Sequence, residues 1–119
     1  MTLFFLTLKR PLICTLLAGY ALLIGPAGVR AESAEKLLAG TDRKAGMRLH
    51  QEKACMSCHA QRLGGDGSAM YTRLDHKVRA PEKLLTQIAF CNTQLSAAMF
   101  PEDERDVAAF LNHDYYHFK

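Results

Sequence analysis

The chain has 119 residues, of which 49% are hydrophobic and 23% are charged, and its formal net charge is +3. This length suits a single domain. Lys9, Arg10 and Arg30 account for the whole basic excess, so residues 32–119 are formally neutral. A nucleic-acid-binding domain is expected to keep a basic surface, and the balanced charge therefore excludes that class.

The first residues have the organisation of an export signal. Residues 9–10 are basic, residues 11–25 form an apolar run, and residues 29–31 end on a small residue suited to cleavage. We expect residues 1–31 to be a cleaved signal peptide and residues 32–119 to be an exported, periplasmic domain. The alternative is a retained membrane anchor, although the apolar run is shorter than the roughly 18 residues that a span usually needs.

Two helices are predicted ahead of the first cysteine of this domain. Residues 33–40 hold one short apolar turn and end in a glycine, which is typical of a brief helix with a glycine cap. Thr41 is a candidate N-cap for the second helix. Ala45 and Leu49 mark one face of that helix, which runs toward Lys53.

Cys55 and Cys58 are separated by two residues, and His59 follows at once. Two thiols at this spacing can each form a thioether with a haem vinyl group, and the adjacent histidine can then bind the iron. A CxxC pair by itself also suits a thioredoxin-like redox couple or half of a zinc site. The sequence has neither the βαβ pattern of the first nor the second Cys/His pair of the other. We therefore predict one covalent haem c, with Cys55 and Cys58 as its attachment points and His59 as the proximal iron ligand.

A polar segment follows the motif. Residues 63–68 are rich in glycine and predict a flexible loop. Arg73 and Arg79 come next, and a guanidinium group can bind a carboxylate through two parallel hydrogen bonds. These two arginines are therefore candidate contacts of the haem propionates. The alternative is a solvated surface segment, as short charge runs commonly are.

A third helix is predicted to begin at Pro81, because proline favours the first helical position. Leu84, Leu85 and Ile88 recur at helical spacing and mark its buried face. We expect it to end near residues 91–92.

The last helix is predicted to begin at Pro101, with acidic residues 102–104 in its first turn, where the helix dipole favours negative charge. Its inner stripe consists of Val107, Phe110 and Leu111. Tyr116 and Phe118 either pack back onto the domain or form a docking patch, and we expect packing. No alternating strand pattern occurs in residues 32–119, so we predict an all-α fold of about four helices around one haem.

Gly46 followed by Leu49 and His50, shortly ahead of the CxxCH motif, resembles the Gly-x-x-apolar-aromatic pattern of class I cytochromes c. The resemblance implies the small cytochrome c fold, in which the glycine lets the first long helix cross the last one closely. His50 stands where an aromatic residue is usual, and we expect a packed ring without a chemical duty. The family takes its distal iron ligand from the loop before the last helix, where Met99 lies. Met99 sits directly against the helix start, so a core position is the alternative.

Cys91-Asn92, followed by Met99-Phe100-Pro101, resembles the sphaeroides haem protein family of small exported cytochromes. In that family the asparagine is a weak distal ligand, and the largely high-spin iron binds small diatomic molecules after reduction. The resemblance implies Asn92 as the alternative distal ligand. This chain has Met99 where the family has the cysteine that pairs with the equivalent of Cys91. Cys91 is then either a buried inert thiol or a thiolate that approaches the iron.

These observations predict a monomeric, periplasmic monohaem cytochrome that carries single electrons between redox proteins through transient contacts. The alternative is a high-spin haem protein that binds diatomic ligands and uses Asn92. A peroxidase would need a general base beside an open iron position. His76 is the one loop histidine that could serve, and nothing around it in the sequence marks it out, so we do not expect an enzyme.

Overall fold

The computed structural model describes residues 32–119, and this part of the chain contains six α-helices and no strand. The helices are α1 (Ala34–Leu37), α2 (Arg43–Glu52), α3 (Cys55–Leu63), α4 (Ala69–Thr72), α5 (Pro81–Leu95) and α6 (Pro101–Leu111), and one π-helical turn, Asn112–Tyr116, follows α6. The all-α prediction is confirmed, with α3 and α4 added to the four predicted helices. The predicted signal peptide, residues 1–31, lies outside the described residues. No helix within 32–119 is long and apolar enough to cross a membrane.

Helix α2 begins one residue later than the sequence predicted. The carboxylate of Asp42 accepts hydrogen bonds from the backbone N–H groups of Lys44 at 2.8 Å and Ala45 at 3.1 Å, so Asp42 is the N-cap. The prediction of Thr41 as the cap was wrong, because its hydroxyl donates to the carbonyl of Leu38 at 2.7 Å instead. A charged acceptor at the positive end of a helix also gains from the helix dipole.

Helices α2 and α6 cross at Gly46, where the two backbones come into direct contact. A Cβ atom on Gly46 would lie 1.9 Å from the carbonyl oxygen of Asp106 and 2.8 Å from the backbone nitrogen of Val107. The side chain of Asp106 accepts a hydrogen bond of 2.7 Å from the backbone N–H of Asp42, just ahead of α2. Only glycine permits this approach, which agrees with the crossing that the sequence predicted.

The hydrophobic core lies between α5, α6 and the segment around α4. It consists of Tyr71, Val78, Leu84, Ile88, Val107, Ala108, Phe110 and Leu111. The predicted inner stripe of the last helix is confirmed. His50 is the buried polar residue within this part of the chain, at 3% exposure, and its Nε2 shares a hydrogen bond of 2.9 Å with the hydroxyl of Tyr71. Burial, together with a smaller effect of the nearby His59, lowers the pKa of His50 to about 4.

Helix α5 extends to Leu95, beyond the end that we predicted at residues 91–92, so that prediction was wrong. Asparagine often ends a helix because its side chain competes for backbone hydrogen bonds. Here the amide of Asn92 is bound to Met99 and to Glu104, and the helix continues past it. The residue that caps α5 in the left-handed conformation is Ser96, with φ of 49°.

The aromatic residues after α6 pack back onto the core, as predicted. The ring of Tyr115 lies 4.9 Å from that of Tyr71, and Tyr116 stacks on Phe118 with ring centroids 5.4 Å apart. The backbone N–H of Ala34 donates to the carbonyl of Lys119 at 3.0 Å, which joins α1 to the C-terminal segment.

We expect Gly46→Ala to destabilise the domain by about 3 kcal/mol or more, because the added methyl group forces α2 away from α6. Chemical denaturation followed by circular dichroism measures this loss. Arg48→Ala is the matched control on the exposed face of the same helix, and it should change stability by less than about 0.5 kcal/mol. Equal effects of the two substitutions would show that the close crossing is unimportant for stability.

We expect acid to weaken the domain through His50. Its pKa is about 6.5 when the chain is unfolded and about 4 when it is folded. The unfolded chain therefore binds the proton first, and stability present above pH 6.5 is lost as the pH falls toward 4. His50→Gln keeps a hydrogen-bonding group near the hydroxyl of Tyr71 but does not titrate. Unfolding curves at pH 7, 6, 5 and 4 should show the wild type losing on the order of 2 kcal/mol relative to His50→Gln. Parallel pH profiles would contradict this assignment.

Candidate functional site

A cavity of about 630 Å³ lies beside the core, within the size range of small-molecule and cofactor sites. Its wall is mainly apolar and is contributed by α3, α5, α6 and the segment from α4 to Val78. The predicted site residues that line it are Cys55, Cys58, His59, Arg73, Asn92 and Met99. His50, Tyr71, His76 and Cys91 line it too. The fold thus brings most of the sequence candidates into one space.

Helix α3 presents the CxxCH motif to this cavity. Ala54 adopts the left-handed conformation, with φ of 53°, and the helix begins at Cys55. The backbone N–H of Ser57 donates to the carbonyl of Ala54 at 3.0 Å, and the Ser57 hydroxyl donates to the same oxygen at 2.7 Å. Cys55, Cys58 and His59 occupy positions i, i+3 and i+4, which share one helix face. The spacing therefore aims all three side chains the same way.

The imidazole of His59 has an unsatisfied polar atom. Its Nδ1 is buried and has no hydrogen-bond partner among the described residues. The ring meets the edge of Tyr71 with centroids 5.5 Å apart. Burial lowers the pKa of His59, which favours the neutral form that binds metals.

The glycine-rich loop packs directly against α3 at Gly67. A Cβ atom there would lie 2.7 Å from the carbonyl oxygen of Met56 and 3.0 Å from the Cβ of His59, and φ is +85°. Both the close approach and the backbone conformation require glycine. The loop therefore braces the helix beside the histidine.

The Cys55 thiol does not have the lowered pKa of a redox-active cysteine. Burial, followed by the proximity of Cys91, raises the pKa of the Cys55 thiol. Reactive CxxC pairs instead have a lowered thiol pKa, because the thiolate is the nucleophile. Cys91 is partly buried, and its sulfur accepts a hydrogen bond from the side chain of Gln87 at 3.5 Å.

Asn92 and Met99 form a hydrogen-bonded unit in the cavity lining. The Asn92 side-chain oxygen accepts a hydrogen bond from the Met99 N–H at 3.1 Å, and its amide nitrogen donates to the Met99 carbonyl at 2.9 Å. The same nitrogen donates to the carboxylate of Glu104 on α6 at 2.7 Å. Asn92 thus holds the backbone of Met99 beside the cavity.

The loop that carries Met99 has an unusual backbone. Ser96 and Ala98 both adopt positive φ, at 49° and 55°, although neither is glycine. Such conformations cost on the order of 1 kcal/mol each and persist only when surrounding contacts enforce them. The hydrogen bonds of Asn92 supply that enforcement.

The two predicted arginines occupy different positions. Arg73 lines the cavity, and its guanidinium group pairs with both carboxylate oxygens of Asp75. Arg79 donates to the carbonyl of Leu74 at 2.6 Å, outside the lining. The sequence analysis did not identify His76 or Tyr71 as lining residues, because an isolated histidine or tyrosine carries no spacing signal.

Within residues 32–119, no three His, Cys, Asp or Glu side chains converge in a way that could hold a metal ion by themselves. The motif thus offers two thiols and one imidazole on a helix face, beside a largely apolar space. This donor set fits a haem, which brings its own four nitrogen ligands and needs only axial ligands from the protein.

Comparison of the chain with family models, curated proteins and solved structures found no match.

Proposed function

We propose that residues 32–119 form a monohaem c-type cytochrome that carries single electrons between redox proteins. The observation that supports this most directly is the face of α3 that presents Cys55, Cys58 and His59 to one cavity. Burial also lowers the pKa of His59, which keeps its imidazole in the neutral form that binds iron.

In this proposal each residue of the motif has a separate role. Cys55 and Cys58 form the two thioether bonds, and His59 provides the proximal ligand. A haem held by these residues would supply reversible one-electron exchange. Leu84, Ile88 and Val107 line the cavity and limit the access of water. A low-polarity wall of this kind favours the ferrous state, which carries less charge.

Met99 is the distal ligand in the proposed electron carrier. Its backbone is fixed by Asn92, and both residues line the cavity. The amide of Asn92 is committed to Met99 and Glu104, whereas the Met99 thioether is not needed for those hydrogen bonds. This arrangement supports Met99 over Asn92 as the iron ligand and makes Asn92 the residue that positions it.

The proposed partners are redox proteins of the periplasm, which the electron carrier meets as a monomer. The cavity reaches the surface beside Phe90, which is 58% exposed and also lines the cavity. An apolar residue at this opening suits the small and short-lived contacts of electron-transfer proteins.

We expect the wild-type protein, matured in a host with cytochrome c assembly machinery, to gain the mass of one haem and to keep its colour after acidified solvent extraction. Cys55→Ala and Cys58→Ala should each leave a single thioether, which shifts the α band of the pyridine haemochrome. Cys91→Ala is the matched control and should keep both thioethers. Colourless wild-type protein with freely alkylated Cys55 and Cys58 would refute the proposal.

We expect the reduced protein to be low-spin and not to bind carbon monoxide. Met99→Ala should make it high-spin, permit carbon monoxide binding and lower the midpoint potential on the order of 0.1 V, because a thioether favours ferrous iron. Asn92→Ala should lower stability by about 1–3 kcal/mol through its lost hydrogen bonds. Its spectrum should stay closer to the wild type than that of Met99→Ala.

The opposite pattern would favour the diatomic-binding alternative. In that case the wild type would be high-spin when reduced, and Asn92→Ala, rather than Met99→Ala, would change its spectrum. Optical spectra of the oxidised and reduced proteins, with and without carbon monoxide, distinguish the two functions.

A further inference from the structure

His76 is a second histidine in the cavity lining, and its imidazole is also incompletely satisfied. Its Nδ1 is buried and has no hydrogen-bond partner among residues 32–119. The ring is held in place by an edge-to-face contact with Tyr116, with centroids 5.5 Å apart and an interplanar angle of 79°. Its backbone N–H donates to the carbonyl of Arg73 at 3.2 Å. The ring thus packs on Tyr116 while its Nδ1 remains without a partner.

Three other polar side chains at the cavity are already paired. Arg73 binds Asp75, and the amide of Asn92 binds Met99 and Glu104. The ring of His50 shares a hydrogen bond with the hydroxyl of Tyr71. Among residues 32–119, the buried side-chain nitrogen and oxygen atoms without a hydrogen-bond partner are Nδ1 of His59 and Nδ1 of His76.

We propose that His76 binds a propionate carboxylate of the haem by donating its Nδ1–H, an inference that rests on the proposed function. A buried donor is costly when unpaired, and a carboxylate is a strong acceptor for it. A haem carries two carboxylates, and His76 would offer one of them a buried donor in the cavity lining.

Arg73 and Arg79 are the competing candidates for this role. To bind a propionate, Arg73 would have to break its ion pair with Asp75, whose carboxylate neutralises the guanidinium charge. Arg79 would have to break its hydrogen bond to the carbonyl of Leu74. His76 loses no hydrogen bond of its ring when it binds a carboxylate. Lys77, which follows His76 in the sequence, also lines the cavity and adds positive charge beside it.

The test compares four variants of the matured, haem-loaded protein. His76→Phe keeps a ring against Tyr116 but removes both nitrogens. His76→Asn places an amide near the position of Nδ1, whereas His76→Gln places one near Nε2. His113→Phe is the control, because His113 is exposed and pairs with Asp114 at the surface.

Covalent haem content, the midpoint potential and the propionate bending mode in resonance Raman spectra are measured for each variant. We expect His76→Phe to lower the midpoint potential, because a carboxylate without its donor leaves more negative charge near the iron and favours the ferric state. The bending mode should shift to a weaker hydrogen bond. His76→Asn should restore both values toward the wild type, while His76→Gln should resemble His76→Phe.

The outcomes separate this inference from the proposed function. If all variants carry covalent haem and His76→Phe behaves like His113→Phe, the role of His76 is refuted and the cytochrome proposal stands. A shift in His76→Phe that His76→Asn does not restore would indicate packing alone and would also refute the inference. If His76→Phe does not fold, the comparison of His76→Asn with His76→Gln decides. Wild-type protein without covalent haem would overturn both proposals.

Discussion

The close crossing of α2 and α6 at Gly46 is the constraint on which the rest of the fold depends. Because no side chain separates the two backbones there, the end of α2 and the start of α3 are fixed against the core. His50, one turn after Gly46, is consequently buried, and its ring lies 5.2 Å from that of Phe110. The position of the CxxCH motif follows from that contact, because only Lys53 and Ala54 lie between α2 and α3.

His59 and Met99 are held in place at the cavity by different interactions. On one side, Gly67 packs against α3 and the edge of Tyr71 meets the ring of His59, so rigid packing orients the histidine. On the other side, the hydrogen bonds of Asn92 hold Met99 in a loop with two left-handed residues. Packing tolerates little displacement, whereas a hydrogen-bonded loop depends on one side chain. The Met99 side is therefore the more easily altered of the two.

The three histidines that line the cavity differ in whether their ring nitrogens have hydrogen-bond partners. His50 is satisfied by the hydroxyl of Tyr71, and its lowered pKa keeps it neutral in the core. His59 and His76 each keep a buried nitrogen without a partner. In the proposed cytochrome, one of these two residues binds the iron and the other binds a carboxylate at the edge of the same group. For His76 this role follows from the rule that a buried polar atom needs a partner, whereas His59 is suited to iron because burial keeps its imidazole neutral.

The sequence by itself determined the helical fold class, the buried stripe of the last helix and the CxxCH spacing of Cys55, Cys58 and His59, because each follows from local patterns. Only the structure showed that α3 carries this motif on one helix face. The sequence did not determine the N-cap at Asp42, the continuation of α5 past Asn92 or the place of His76 in the cavity. Thr41 and Asp42 are both common N-cap residues, so the sequence did not choose between them. The other two features depend on groups that are distant along the chain: Glu104 binds Asn92, and Tyr116 packs on His76. Local patterns carry no information about such partners, so only the tertiary structure decided them.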